Sequence, residues 1–418
     1  MMSISTIAER LGFNNRLFDT ILTLLNMSRV PQKKPAEMKR FLFLQYDTNA
    51  LGAAITATPL YEALRRAIPD AYIAVATGGF SYQALKCNPY IDKVYETPHP
   101  HTHFLKSAAY FLGHMRQWRK NFDCVITDTF NAHSKATALQ IFSGIPVRAG
   151  YSNRSAWVHY PITLPKEYHI LIQTSVITNN LRILDMLGQS YQATEPSMFF
   201  KEDELHSLEN LLKAEDVPEE GPLVVVVAQG SGRQPHIWYE DRFAEVGNRL
   251  HDLFGARLVF SGTSHDSAGI ERIRHQMRVP SFSLAGKTNI PQVAALLCSA
   301  DLMLTMDTGV MHVGRAVGVP MVILTSASQT PKEWLPLGME KYLILRRDHV
   351  PCALCWKTEC ATRECMDEIS IDDVVNAVQT QLRRFPPSSE QRHERLSRAL
   401  TKRRVPAANS LSAAALEA

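Results

Sequence analysis

Residues 223–228 restrict the fold of this chain more than any other segment, because they form an almost unbroken run of valines, Leu-Val-Val-Val-Val-Ala. A strand buried on both faces of a parallel sheet shows such a run, whereas a strand with one solvent-exposed face alternates apolar and polar residues. Segments typical of helices and of further apolar strands alternate after it, which predicts βαβ units and a parallel sheet. We predict helices at 240–254, 291–299 and 311–317 and strands at 256–260, 301–305 and 321–324.

The same alternation of strands and helices precedes residue 215, with apolar strands at 41–44, 72–76 and 123–127. Two Rossmann-like α/β halves joined by a polar linker at 215–222 follow from this repetition, and at 418 residues the chain is long enough for both. Ligands of such sheets bind beyond the carboxyl ends of the strands. We predict an N-terminal helical extension at 1–39, a first Rossmann-like domain at 40–214, a second at 222–345, a cysteine-containing segment with a closing helix at 346–384, and a basic tail at 385–418 that is disordered or helical around 390–404.

Charge is concentrated at one end of the chain. Residues 383–418 carry eight Lys and Arg against three Glu, which is a net charge of +5. Because the whole chain has a net charge of +4, the remaining residues carry about −1. A nucleic-acid-binding protein would carry its positive charge on the folded body, so the charge distribution disfavours that class. The sequence has neither a signal peptide nor an apolar run of about 20 residues, which predicts a cytoplasmic protein with reduced thiols.

The segment Asp307-Thr308-Gly309-Val310-Met311-His312 lies where a strand passes into a helix. Gly309 lets a ligand approach the backbone, and the N–H groups at the start of the helix attract an anion. Asp307 or Thr308 would then bond a sugar hydroxyl, with His312 against a phosphate. The alternative is an ordinary helix cap followed by a glycine turn.

Two further loops have the composition of an anion site. Gln229-Gly230-Ser231-Gly232-Arg233-Gln234-Pro235-His236 follows the valine strand directly, which makes Arg233 and His236 candidates for binding a diphosphate. The alternative is a flexible loop with an exposed arginine. Small residues at 52–59, after the first strand, also allow a ligand to approach backbone N–H groups.

Taken together, these landmarks resemble a known family. Leu284-Ala285-Gly286-Lys287-Thr288, the block from Asp307 to Pro320, and Trp334-Leu335-Pro336-Leu337-Gly338 resemble the ADP-heptose:lipopolysaccharide heptosyltransferases, glycosyltransferase family 9. Asn88-Pro89-Tyr90-Ile91-Asp92 and Ser143-Gly144-Ile145-Pro146 are similar to landmarks of the same family. The resemblance extends over residues 39–382.

This resemblance implies a GT-B fold and an inverting, metal-independent transfer of heptose from an ADP-sugar donor to a lipid-linked saccharide of the lipopolysaccharide core. The implied transfer reaction requires no cofactor. By position, it implies a donor site formed by Gly230, Ser231, Arg233, His236, Asp307, Thr308, Gly309, Met311 and His312. An acceptor of this kind lies at the inner face of the cytoplasmic membrane, where the apolar segment 17–25 and the basic tail are candidates for peripheral contact. Packing of that segment on the body is the alternative.

The chain departs from the family pattern at two positions. Ala53 stands where the family has an aspartate that resembles the general base, and His236 stands where it has a lysine. Asp47 would then replace the base, although it is also a natural turn residue, or Asp128 would act instead. Otherwise the protein binds a donor with impaired catalysis. A nucleotide-sugar epimerase on a similar fold is the remaining alternative, whereas the absence of Gly-x-Gly-x-x-Gly disfavours a nicotinamide dehydrogenase.

Four cysteines are grouped near the end of the body, at Cys352, Cys355, Cys360 and Cys365. Four thiolates this close in sequence are typical of a structural Zn²⁺ or Fe site, and they would leave no open position for catalysis. Reduced thiols or a single disulfide are the alternatives.

Overall fold

A computed structural model describes residues 34–46, 49–100, 102–127, 134–150, 160–161, 173–228 and 236–400. The chain divides into two compact units. The first unit comprises residues 1–50, 57–194 and 403–418, and the second comprises helix α1 (Leu51–Thr56) together with residues 195–402. One short helix from the N-terminal half of the sequence is therefore part of the second unit.

The described residues of the first unit form a parallel sheet of six strands in the order β3-β2-β1-β4-β5-β6. The strands are β1 (Arg40–Leu44), β2 (Tyr72–Thr77), β3 (Lys93–Glu96), β4 (Cys124–Thr127), β5 (Val147–Gly150) and β6 (Tyr160–Pro161). The helices are α2 (Thr58–Ala67), α3 (Gly79–Leu85), α4 (Phe104–Asn121), α5 (Ser134–Phe142), α6 (Val176–Leu181) and α7 (Ile183–Met186).

The second unit repeats this topology, with a parallel sheet in the order β12-β11-β10-β7-β8-β9. Its strands are β7 (Leu223–Val227), β8 (Arg257–Phe260), β9 (Ser281–Ser283), β10 (Leu302–Met306), β11 (Met321–Leu324) and β12 (Tyr342–Leu345). Its remaining helices are α8 (Glu202–Ala214), α9 (Glu240–Phe254), α10 (Ser267–Gln276), α11 (Ile290–Ser299), α12 (Gly309–Val317), α13 (Glu364–Asp367), α14 (Ile371–Arg384) and α15 (Ser389–Ala399).

The valine run forms a central, buried strand of the second sheet, as its composition predicts. Strand β7 lies between β10 and β8, and each of its residues is buried. The direction of chain progression through the sheet reverses between β7 and β10, so the loops that leave these two strands diverge at the carboxyl edge. The prediction of an α/β protein with two Rossmann-like sheets is confirmed, and Asp307 follows one of the two strands at this switch point.

The start of the C-terminal tail is ordered. Residues 389–399 form helix α15, where Arg395 is buried and donates to the carbonyl oxygen of Cys298 at 3.1 Å. Arg392 binds Asp301 at 2.6 Å, and the other oxygen of Asp301 accepts from the Leu223 amide at 2.8 Å. This part of the tail is therefore not disordered, because two arginines attach it to the base of the second sheet. Residues 401–418 and the apolar segment 17–25 lie outside the described residues.

No helix in the described ranges combines the length and the apolarity needed to cross a membrane.

Candidate functional site

The turn between β10 and α12 carries the strongest sequence signal, and its geometry is that of an open helix start. The Asp307 amide still donates to the carbonyl oxygen of Leu324 on β11, at 3.2 Å. Thr308 has an extended backbone and makes no side-chain cap, and α12 begins at Gly309, two residues earlier than predicted. Within the described residues, the buried Thr308 hydroxyl has no hydrogen-bond partner. The N-terminus of α12 therefore keeps polar groups available for a ligand.

His312 lies in the first turn of α12 and is only 3% exposed. Its ring packs against Trp334, with centroids 5.5 Å apart and an edge-on angle of 66°. Burial, assisted by the nearby Arg315 charge, lowers the pKa of His312 to about 3, so the imidazole is neutral. Its Nδ1 atom has no hydrogen-bond partner in the described part of the chain. A buried, unsatisfied ring nitrogen destabilises the free protein and suits a ligand that supplies the missing bond.

Two glycines bring α1 against the start of α12. A Cβ atom on Gly52 would lie 2.7 Å from Cδ2 of His312, and one on Gly309 would lie 3.0 Å from Cβ of Leu51. Real Cβ atoms essentially never approach as closely as 2.7 Å, so position 52 needs glycine, whereas a side chain at position 309 would be tight and require Leu51 to shift slightly. Ala53 is the half-buried neighbour of Gly52 on α1, and it therefore lies on the helix that packs against His312.

Asp307 is a partly buried carboxylate at the end of β10. Burial raises the pKa of Asp307 to about 6, against the opposing effects of the Thr325 hydroxyl, 3.4 Å from its Oδ2, and of the Arg346 charge. The guanidinium of Arg346 is already bonded to the Gln329 carbonyl oxygen at 2.6 Å and to Asp348 at 2.6 Å. Asp307 consequently remains able to accept hydrogen bonds from a ligand.

Two residues of this region were missed by the sequence analysis. Arg315 on α12 forms a two-pronged ion pair with Glu195, with N···O distances of 2.6 and 2.9 Å. Glu333 is buried in the turn between β11 and β12, and burial together with the Asp307 charge raises its pKa to about 7. Arg315 lies inside the block from Asp307 to Pro320 and Glu333 directly precedes Trp334, but the sequence indicates neither the burial nor the partner of these two side chains.

The glycine-rich loop after β7 is described only from His236 onward. His236 is buried, and its Nε2 lies 3.1 Å from the Ser328 hydroxyl, in the loop that follows β11. The other candidates in this loop and both candidate bases lie outside the described residues, namely Gly230, Ser231, Arg233, Asp47 and Asp128.

The four cysteines that the sequence groups together have different surroundings in the structure. In the described part of the chain, no three His, Cys, Asp or Glu side chains are grouped so as to hold a metal ion, and none of the four cysteines is in a disulfide. Cys365 is buried on α13 with its sulfur 3.4 Å from the Ser326 hydroxyl, whereas the sulfur of Cys360 accepts from the Arg363 amide at 3.3 Å. Local contacts thus hold two of the sulfurs separately, and the tetrahedral four-thiolate site stays a prediction.

Comparison with known proteins now identifies the family. The model of glycosyltransferase family 9 (heptosyltransferase) matches residues 112–366. Lipopolysaccharide heptosyltransferase 3 of Escherichia coli strain K12 is 25% identical over 283 residues, which cover 66% of this chain and 80% of that protein.

Two solved structures share the fold. The glycosyltransferase family 9 protein of Veillonella parvula superposes with a TM-score of 0.69 at 21% identity, covering 83% of this chain and 97% of that one. The Escherichia coli ADP-heptose lps heptosyltransferase II superposes with a TM-score of 0.65 at 18% identity, covering 82% and 99%. The expected GT-B fold is confirmed by these neighbours. Because the family model matches more than half of its length, the chain belongs to glycosyltransferase family 9, the heptosyltransferases.

Proposed function

We propose that this chain transfers heptose from ADP-heptose to a saccharide of the lipopolysaccharide core, with inversion and without a metal ion. The observation that carries the proposal is the open start of α12, where the Thr308 hydroxyl and His312 Nδ1 lack partners among the described residues. The related Escherichia coli enzyme is described as an ADP-heptose heptosyltransferase. In this assignment, Asp307, Thr308, Gly309, Met311 and His312 form the donor site.

Each group at the α12 start has a distinct part in holding the donor. The helix N-terminus attracts the diphosphate through its free N–H groups and its dipole. The neutral His312 donates its Nδ1–H to a phosphate oxygen, and it then stabilises the ADP that leaves. Met311, the preceding residue on α12, is fully buried and is assigned to the site by its position in the sequence. Gly230, Ser231, Arg233 and His236 are assigned to the phosphates by position in the sequence alone.

The proton of the acceptor hydroxyl requires a base, and Ala53 cannot provide it. We assign this role to Asp47 first and to Asp128 second, each by its place after a strand of the first sheet. Ala53 also favours a second candidate function, a donor-binding protein with impaired transfer, because a general base contributes roughly 10²–10⁴-fold to the rate. The protein would act at the inner face of the cytoplasmic membrane, where a lipid-linked acceptor lies.

Calorimetric titration with ADP, UDP and GDP tests the donor assignment. We expect ADP to bind in preference to the other two, and His312→Ala to weaken ADP binding by about tenfold, the loss of one hydrogen bond to a charged group. If none of the three nucleotides bound, or if His312→Ala bound ADP as the native chain does, the assignment of the donor site would be contradicted.

Transfer rates then locate the base. If Asp47 is the general base, Asp47→Ala abolishes most of the transfer activity. In that case Asp128→Ala leaves the transfer rate unchanged, and Ala53→Asp does not raise it. If the base is missing, both alanine variants keep the residual rate of the native chain and Ala53→Asp raises it.

A further inference from the structure

Glu333 is a charged residue whose burial the proposed transfer does not explain. It lies in the turn at 331–335, which is closed by a 3.2 Å hydrogen bond from the Leu335 amide to the Pro331 carbonyl oxygen. It is 7% exposed, and the next residue is Trp334, whose ring packs on His312. A carboxylate buried to this extent is costly unless it is paired or hydrogen-bonded.

The surroundings of Glu333 contain no such partner. Among the residues that the structure describes, no hydrogen bond or ion pair reaches its carboxylate, whose oxygens keep a small contact with solvent. The neighbouring charge that acts on it is Asp307, of the same sign. Arg346, whose charge acts on Asp307, is itself bonded to carbonyl oxygens and to Asp348. The free protein thus keeps two neighbouring carboxylates, neither of which forms an ion pair within the described ranges, although the Arg346 charge acts on Asp307.

The two neighbouring carboxylates of Asp307 and Glu333 suit a ligand that presents hydroxyl groups to them. Two carboxylates repel phosphate, so the diphosphate belongs at the start of α12 and not beside Glu333. Carboxylate oxygens accept hydrogen bonds, and a ligand with several hydroxyl groups supplies donors. In the described part of the chain Glu333 has no such donor, and Asp307 has the Thr325 hydroxyl at 3.4 Å. A sugar ring joined to a diphosphate provides both kinds of group at adjacent positions.

We propose that Glu333, together with Asp307, accepts hydrogen bonds from hydroxyl groups of the transferred sugar and so selects that sugar. The proposal rests on the donor site described above and adds to it a specificity residue outside the Asp-Thr-Gly-x-x-His block. A site built to bond hydroxyl groups discriminates strongly against analogues that misplace them, since buried acceptors are then left unpaired.

Glu333→Gln tests this assignment in the full-length chain, with ADP and ADP-heptose titrated separately. We expect the variant to bind ADP-heptose at least tenfold more weakly than the native chain while ADP binding changes by less than twofold. Glu340→Gln is the matched control, because Glu340 is an exposed glutamate on the same connection between β11 and β12. Both affinities should stay at the native value in that control.

Each contrary outcome has its own meaning. Equal weakening of ADP and ADP-heptose would overturn the proposal, because Glu333 would then hold the nucleotide or the fold of the turn. Unchanged ADP-heptose binding would overturn it as well. If the native chain bound neither compound, the donor site itself would fail instead.

A second measurement does not depend on how well the glutamine variant folds. Competition of ADP-heptose with ADP-glucose, on the native chain and on Glu333→Asp, reports selectivity as a ratio within one protein. We expect the native preference for ADP-heptose to fall several-fold in Glu333→Asp, because the shorter side chain withdraws the carboxylate. An unchanged ratio would exclude Glu333 as the selecting group.

Discussion

The sequence predicts a ligand site both in the Asp307 turn and in the segment from Cys352 to Cys365, but the two segments differ in how their polar groups are hydrogen-bonded. In the Asp307 turn, the Thr308 hydroxyl and His312 Nδ1 lack partners among the described residues. The cysteine segment instead bonds its own groups and the loop after β11, to which it donates from Leu354 at 2.8 Å and from Trp356 at 2.9 Å.

The backbone of the cysteine segment shows how firmly these contacts hold it. Leu354, Trp356 and Arg363 have φ angles of 59°, 55° and 51°, a left-handed conformation that bulky residues rarely adopt. Such strain persists only where surrounding contacts fix the chain. The two segments therefore differ in hydrogen bonding among the described residues, because the Asp307 turn leaves polar groups unpaired and the cysteine segment bonds to the loop after β11, although the spacing of residues in the sequence suggests a site in both.

The largest expected effect comes from filling the space at Gly52. In Gly52→Ala the new methyl group would lie 2.7 Å from Cδ2 of His312, so the ring must move away from the α12 start. We expect a loss of about 1–3 kcal/mol in the free energy of unfolding, the usual range for overpacking, and at least tenfold weaker ADP binding. Urea unfolding and calorimetry measure the two quantities.

Gly113→Ala is the control for this substitution. Gly113 lies within helix α4, and a Cβ atom there would meet nothing within 4 Å. Alanine is a better helix former than glycine, so this variant should gain about 0.5–1 kcal/mol and keep its ADP affinity. If both variants gained stability and bound ADP alike, the tight packing of His312 on α1 would not be needed for the site.

A smaller effect is expected from pH, with opposite signs for two residues of the site. Glu333 has a pKa of about 7 in the folded chain and an ordinary value of 4.5, so between these values the folded chain binds more protons than the unfolded chain. The free energy of unfolding therefore falls as pH rises through this window. His312, with a pKa of about 3 against an ordinary 6.5, makes the folded chain less stable as pH drops through its own window.

The two contributions separate when each residue is replaced. Relative to the native chain, Glu333→Gln should become more stable as pH rises from about 4.5 to about 7, by about 1–2 kcal/mol after allowance for solvent screening. His312→Gln should gain relative stability on acidification below pH 6.5. Urea midpoints measured at several pH values check both, with Glu340→Gln as the control, and slopes of the same sign in the two variants would contradict the assigned protonation states.

The sequence could predict some features of the fold and the site, but not the burial of Glu333 on which the pH experiment depends. The valine run of β7 and the alternation after it determine the parallel sheet, and Asp307-Thr308-Gly309 follows a strand as expected, because these features depend on neighbours along the chain. Glu333 could not be predicted, since its burial results from packing between distant segments. The contact between Gly52 and His312 was equally hidden, because the two residues are 260 positions apart and only the fold brings them together.

The smallest effect is expected in the cysteine segment, where thiol reactivity reports whether the four sulfurs act as one group. The amide of Arg363 holds the pKa of the Cys360 thiol below its ordinary value. Burial and the neighbouring thiols Cys355 and Cys365 raise the pKa of Cys352. Since the thiolate is the reactive form, iodoacetamide at pH 7.5 should alkylate Cys360 several-fold faster than Cys352, as measured by timed mass spectrometry of the peptides. A four-thiolate metal site would instead protect both cysteines equally until a chelator was added, and that result would place the cysteine segment in the same class as the Asp307 turn.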